Sequence, residues 1–98
     1  MKVYLKNIKI DRGCFSSEKA VIYTDYNDKV MSGFFGDDYI KDGGLEVSVI
    51  DMEEDWAFVT PKGGYFLEYD SGIGVRVSDL YNEKGELIST KSLDGSVK

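Results

Sequence analysis

The hydrophobic pattern of this chain repeats every two residues. Val3 and Leu5 share one face of an opening strand over 2–10, whereas Ile8 and Ile10 share the other. Successive side chains on a strand point to opposite faces, so this change of phase near Lys6–Asn7 predicts a bulge or a sharp bend. Asp11-Arg12-Gly13-Cys14 reads as a turn. A strand over 18–26 carries the β-formers Val21, Ile22, Tyr23 and Thr24, and Asn27-Asp28 turns it into a strand over 29–35. A polar loop over 36–44 leads to 45–50, where Leu45, Val47 and Val49 alternate. Residues 51–55 turn the chain into a strand over 56–60, Pro61-Lys62-Gly63-Gly64 turns it again, and strands over 65–69 and 73–77 follow. Asn82-Glu83-Lys84-Gly85 suits a hairpin on a type I turn with glycine in the left-handed position, and a single helical turn capped by Ser78 is the competing expectation.

This pattern predicts an all-β fold of about six to eight short strands with at most one short helical turn. A lone sheet would leave one apolar face in water, so the strands should close into a small antiparallel barrel or a two-sheet sandwich. The short connections favour antiparallel pairing. The chain has 98 residues, which fits a single β domain over 1–92 with a frayed C-terminal tail over 93–98.

Composition adds a compartment and removes several chemistries. Cys14 is the only cysteine, so no internal disulfide can form, which points to a reducing, cytoplasmic setting. The N-terminus alternates lysine with apolar residues, unlike a signal peptide, and no run approaches the roughly 18 apolar residues of a membrane span. There is no histidine, which excludes Ser-His-Asp and Cys-His catalysis and imidazole-based zinc sites. Gly72 and Gly74 have Val77 where a third phosphate-binding glycine belongs, and Gly63-Gly64 lacks the lysine and serine of a P-loop. Asp25-Tyr26-Asn27 begins like a calcium loop, but Val30 and Gly36 occupy its glycine and glutamate positions. Arg12 beside Cys14 could activate the thiol, but no resolving cysteine accompanies it, and a small buried hydrophobe is the expectation. No enzyme, cofactor or metal is expected.

Charge is uneven. Residues 37–55 hold eight acids against Lys41 alone, a net of −7, so the rest of a chain whose net charge is −6 carries +1. A concentrated electronegative surface repels phosphates and attracts basic proteins. Apart from Glu46, the acids fall into two groups, Asp37, Asp38 and Asp42 around Tyr39, and Asp51, Glu53, Glu54 and Asp55 running into Trp56. The connecting strand of six residues spans roughly 20 Å, which separates the groups and disfavours one compact metal site. An aromatic ring beside a carboxylate suits lysine and arginine, the ring taking the stem and cation face and the carboxylate the charge. The expected binding residues are therefore Asp37, Asp38, Tyr39, Asp42, Asp51, Glu53, Glu54, Asp55 and Trp56. Against this stand a plain solvated turn at 51–55 and core positions for Trp56 and Phe58. Tyr65, Leu67 and Tyr69 share one strand face, which offers an aromatic contact surface for an adaptor module or a homo-dimer. No basic groove accompanies them, so direct nucleic-acid binding is not expected.

The run LEVSVIDMEEDWAFVTPKGGYFLEYDSGIGVRVSDL, residues 45–80, resembles Src-homology-3-like small barrels and small phage and prophage proteins of similar build. The ALYDY-type run of true Src-homology-3 domains is missing, so no binding residues carry over. The phage resemblance implies an inhibitor of host defence, of the anti-CRISPR or anti-nuclease type. Its partner would be a nuclease, a CRISPR effector or another nucleic-acid-binding protein whose basic surface it occludes.

Overall fold

The chain changes sheets where its hydrophobic phase slips. A computed structural model describes residues 2–12, 17–66 and 72–88. In it Asn7 takes a left-handed φ of 64°, a conformation that asparagine tolerates better than most residues. The expected first strand therefore divides into β1 (Val3–Leu5) and β2 (Lys9–Arg12), which belong to different sheets.

β2 forms the edge of a four-stranded sheet. It pairs with β3 (Glu18–Thr24), which pairs with β4 (Val30–Gly36), which pairs with β8 (Gly64–Phe66). β1 lies in a six-stranded sheet that curls into a half-barrel. Its neighbours are β10 (Leu80–Asn82) and β6 (Gly44–Met52). β6 continues to β7 (Trp56–Pro61) and β9 (Ile73–Arg76), and the two-residue β5 (Ile40–Lys41) also pairs with β6. All pairings are antiparallel. The described strands outnumber the expected ones because the first divides and because β5 pairs within the 36–44 loop.

Two single 3-10 turns, Asp37–Tyr39 and Val77–Asp79, link strands. Ser78 lies inside the second rather than capping it. The 82–85 hairpin takes its expected form: the Gly85 N–H donates to the Asn82 carbonyl at 3.0 Å, and Gly85 has a φ of 85°. The Asn82 side chain accepts from the Lys84 and Glu86 N–H groups, holding the turn closed.

The inner faces of the two sheets form the core. The four-stranded sheet contributes Val21, Tyr23, Met31, Phe35 and Phe66, with the Phe35 and Phe66 rings edge-to-face at 5.1 Å. Leu5, Leu45, Val47, Val59, Val75 and Leu80 close it from the half-barrel. Ala57 and Val59 take the inward positions of β7, so Trp56 and Phe58 lie on the outer face, half-buried. This corrects the expectation of a core Phe58.

β6 runs two residues past its expected end, into Asp51 and Met52, and carries a register shift between Val49 and Asp51. Strict alternation from Leu45, Val47 and Val49 would aim Asp51 at the core. The extra residue, Ile50, is left 61 % exposed. Beyond it Met52 packs on the core while Asp51 faces water. Cys14, Leu67, Tyr69 and the tail over 93–98 lie outside the described residues, as does the rest of the expected 65–69 strand beyond Phe66.

Candidate functional site

The two acidic groups lie at opposite ends of β6. Ile40 and Lys41 pair with Leu45 and Gly44 at its start, while the 53–55 turn joins its end to β7. Part of the negative excess is neutralised where it stands. Asp37 accepts an ion pair from Lys19 at 2.8 Å, and the buried Glu46 accepts one from Lys62 at 3.0 Å. Asp42 lines a small pocket with Lys6, Lys41 and Lys84. Tyr39 is 37 % exposed, but one ring face lies against Gly63, where any Cβ would collide with it. The group around Tyr39 is thus a mixed-charge, partly structural region. Among the described residues, Asp51, Glu53, Glu54 and Asp55 form no ion pair. Among the described residues, the Asp51 side chain accepts a hydrogen bond from the adjacent Met52 N–H, at 2.9 Å.

The 53–55 turn stands beside aromatic residues that are distant in sequence. The Glu53 N–H donates to the Trp56 carbonyl at 2.8 Å, and the Val77 N–H to the Asp55 carbonyl at 3.1 Å, fixing the turn against the chain that leaves β9. Trp56 pairs in register with Arg76, and its ring centroid lies 6.2 Å from that of Tyr26. Tyr26 belongs to the β3–β4 turn, which several bonds hold. Its N–H donates to the Gly74 carbonyl at 3.0 Å. The Asp25 carboxylate accepts from the Asn27 and Lys29 N–H groups at 2.9 and 2.8 Å. Arg76 donates to the Thr24 carbonyl at 2.9 Å and to the Asp28 carboxylate at 2.8 Å. The guanidinium is thereby committed to the turn that presents Tyr26.

Between these elements lies an open cleft of about 540 Å³. Tyr26, Val77, Leu87 and Ile88 give it apolar walls, and Glu54 and Asp55 stand on its rim. Tyr26 and Leu87 are 40 % and 55 % exposed, so the apolar part is accessible.

Behind the cleft, a buried polar contact ties the two sheets together. The Tyr23 hydroxyl donates to the Asp79 carboxylate at 2.8 Å and accepts from the Arg76 N–H at 3.3 Å. Burial pushes the Tyr23 hydroxyl well above its ordinary titration range, and donation to Asp79 pushes it further. The Asp79 carbonyl also accepts from the Lys6 N–H at 2.8 Å, anchoring the Val77–Asp79 turn to the end of β1.

Among the described residues, no three carboxylate or cysteine side chains converge as metal ligands. The geometry gathers Glu54 and Asp55 with Trp56 through Tyr26, and sets Asp37, Asp38, Tyr39 and Asp42 apart from them. Tyr26, Leu87 and Arg76 were not among the expected site residues. Tyr26 is an aromatic residue in a turn closed by Asp25, Asn27 and Asp28, which was the one local signal for it. Comparison with known proteins finds no family, no curated protein and no solved structure that matches this chain. The likeness to Src-homology-3-like barrels and phage proteins therefore rests on strand pattern alone.

Proposed function

We propose that this protein is a non-enzymatic binding module that presents its 51–55 acidic hairpin and the adjoining aromatic cleft to a basic protein surface. The observation that carries this reading is the setting of the hairpin acids. Asp37 and Glu46 form internal ion pairs and Asp42 shares a pocket with three lysines, whereas among the described residues the hairpin carboxylates form no ion pair, and Glu54 and Asp55 line a cleft with the exposed Tyr26 and Leu87. Ring and carboxylate together suit a lysine or arginine side chain. The partner is a basic protein of the nucleic-acid-handling kind, such as a nuclease or CRISPR effector, whose phosphate-binding surface the carboxylates occupy. Occupying that surface inhibits the partner by occlusion. Charge attraction steers such association, so affinity falls with salt. The test is capture from the native host with the wild-type chain and with Glu53→Gln/Glu54→Gln/Asp55→Asn, at low and high salt. A basic partner lost with either change supports the proposal. Partners retained equally under all conditions would refute it.

A second reading has its own observation. Ile22, Val30 and Phe34 are 36 %, 63 % and 40 % exposed on the outer face of the four-stranded sheet. A structural or adaptor module, or a homo-dimer, would use that face. Light scattering across concentration separates the two, because assembly through apolar side chains persists at high salt.

A further inference from the structure

We infer that the cleft is a socket for one arginine side chain, carried on an extended segment of the partner with an apolar residue two positions away. This rests on the acidic-surface reading above and narrows it from a charged face to a defined socket. Three observations select arginine. The first is the ring. Tyr26 is backed by Trp56 at 6.2 Å and held by the Gly74 carbonyl and the Arg76–Asp28 pair, so its exposed face is already fixed before binding. A planar guanidinium stacks on such a face, whereas an ammonium is a point charge with a heavier hydration shell. The second is the rim. Glu54 and Asp55 are adjacent carboxylates with no ion-pair partner among the described residues, and a guanidinium presents several donors in a fork that can serve both. The cleft's own cation, Arg76, directs its guanidinium hydrogen bonds to Thr24 and Asp28 rather than to these carboxylates.

The third observation is the size and lining of the space. The cleft, about 540 Å³ and open to solvent, is larger than one side chain, and the exposed Leu87 and half-buried Val77 line it beside the buried Ile88. Val77 and Leu87 offer an apolar wall for a second, aliphatic residue of the same segment. On an extended segment, side chains two positions apart share a face, so the aliphatic residue lies two positions from the arginine, one against Leu87 and the other against Tyr26.

The experiment uses the full chain and its single tryptophan as reporter. The blocked tripeptide acetyl-Leu-Ala-Arg-amide is titrated while Trp56 emission and the backbone amide shifts of Asp55, Tyr26 and Val77 are followed. The matched citrulline tripeptide keeps the shape and removes the charge. A saturable response is expected from the arginine peptide, with affinity about tenfold weaker for citrulline and for Glu54→Gln/Asp55→Asn. Tyr26→Leu should weaken arginine binding more than it weakens citrulline binding. Both sets of residues are exposed, and the amide spectrum verifies that each variant is folded. Equal affinity for arginine and citrulline, or shifts mapping away from the cleft, would overturn the socket. If the arginine peptide fails while the captured partner still depends on Glu54 and Asp55, the socket is refuted and the acidic-surface reading survives. If neither depends on them, both fall.

Discussion

Replacing Tyr23 with phenylalanine removes one oxygen and tests how the two sheets are joined beneath the cleft. In the wild type that oxygen donates to the Asp79 carboxylate at 2.8 Å and accepts from the Arg76 N–H at 3.3 Å. A hydrogen bond to a charged acceptor contributes about 1.5–3 kcal/mol and a long neutral one about 0.5 kcal/mol, while the phenyl ring keeps the buried apolar contacts. Asp79 is 8 % exposed, so water restores little of what its carboxylate loses. We expect Tyr23→Phe to lower stability by about 2–3 kcal/mol at pH 7. For a domain of this size that is a fall in Tm of roughly 10–20 °C. The pH dependence is a second signature. The folded-state pKa of Tyr23 lies above its ordinary value of 10.0, so its contribution is fully present below pH 10.0. It is then lost as pH rises, because the unfolded chain ionises first, at about 1.4 kcal/mol per pH unit. Urea unfolding of both chains from pH 7 to pH 11 should show a constant gap up to pH 10.0 and a narrowing one above it. A Tm change under about 3 °C, or a gap unchanged at pH 11, would refute the role given to this pair.

Other perturbations reach other parts of the account. Gly63→Ala should cost about 2–4 kcal/mol in urea unfolding, because a left-handed φ and the collision with Tyr39 add. Gly43→Ala shares the positive φ but meets open space, so it should cost only about 1–2 kcal/mol, and equal losses would remove the structural role of Tyr39. Arg76→Lys cannot serve Thr24 and Asp28 together, so hydrogen exchange at the Tyr26 amide should accelerate about tenfold with global stability nearly unchanged. Ile50→Lys changes an exposed bulge residue and should alter stability by less than about 0.5 kcal/mol, whereas Met52→Lys, at a half-buried position packed on the core, should cost about 1–2 kcal/mol in urea unfolding.

Local sequence features forecast local structure well. Alternation located most of the strands and Gly85 located a left-handed turn residue, whereas the phase slip at Asn7 marked a bend in one strand where the chain in fact leaves one sheet for the other. The separation of the acidic groups followed from strand length. What the sequence did not disclose depends on contacts between distant segments. Tyr26 and Trp56 are thirty residues apart, and Arg76 reaches back to Asp28; no periodicity encodes either pairing. The ion pairs of Asp37 with Lys19 and of Glu46 with Lys62 also join residues on different strands or turns, so a count of acids overstated the open negative surface. The Ile50 bulge was hidden for a different reason. Val49, Ile50 and Met52 are all apolar, and only the ladder shows which of them is left outside.

Hydrogen-exchange footprinting of the chain with its captured partner locates the binding face itself. Binding through the acidic hairpin and the cleft predicts protection at 53–56, at Tyr26 and across 76–78, with the outer face of the four-stranded sheet unchanged. Protection confined to the strands bearing Ile22 and Phe34, with the acidic hairpin exchanging as in the free protein, would contradict it.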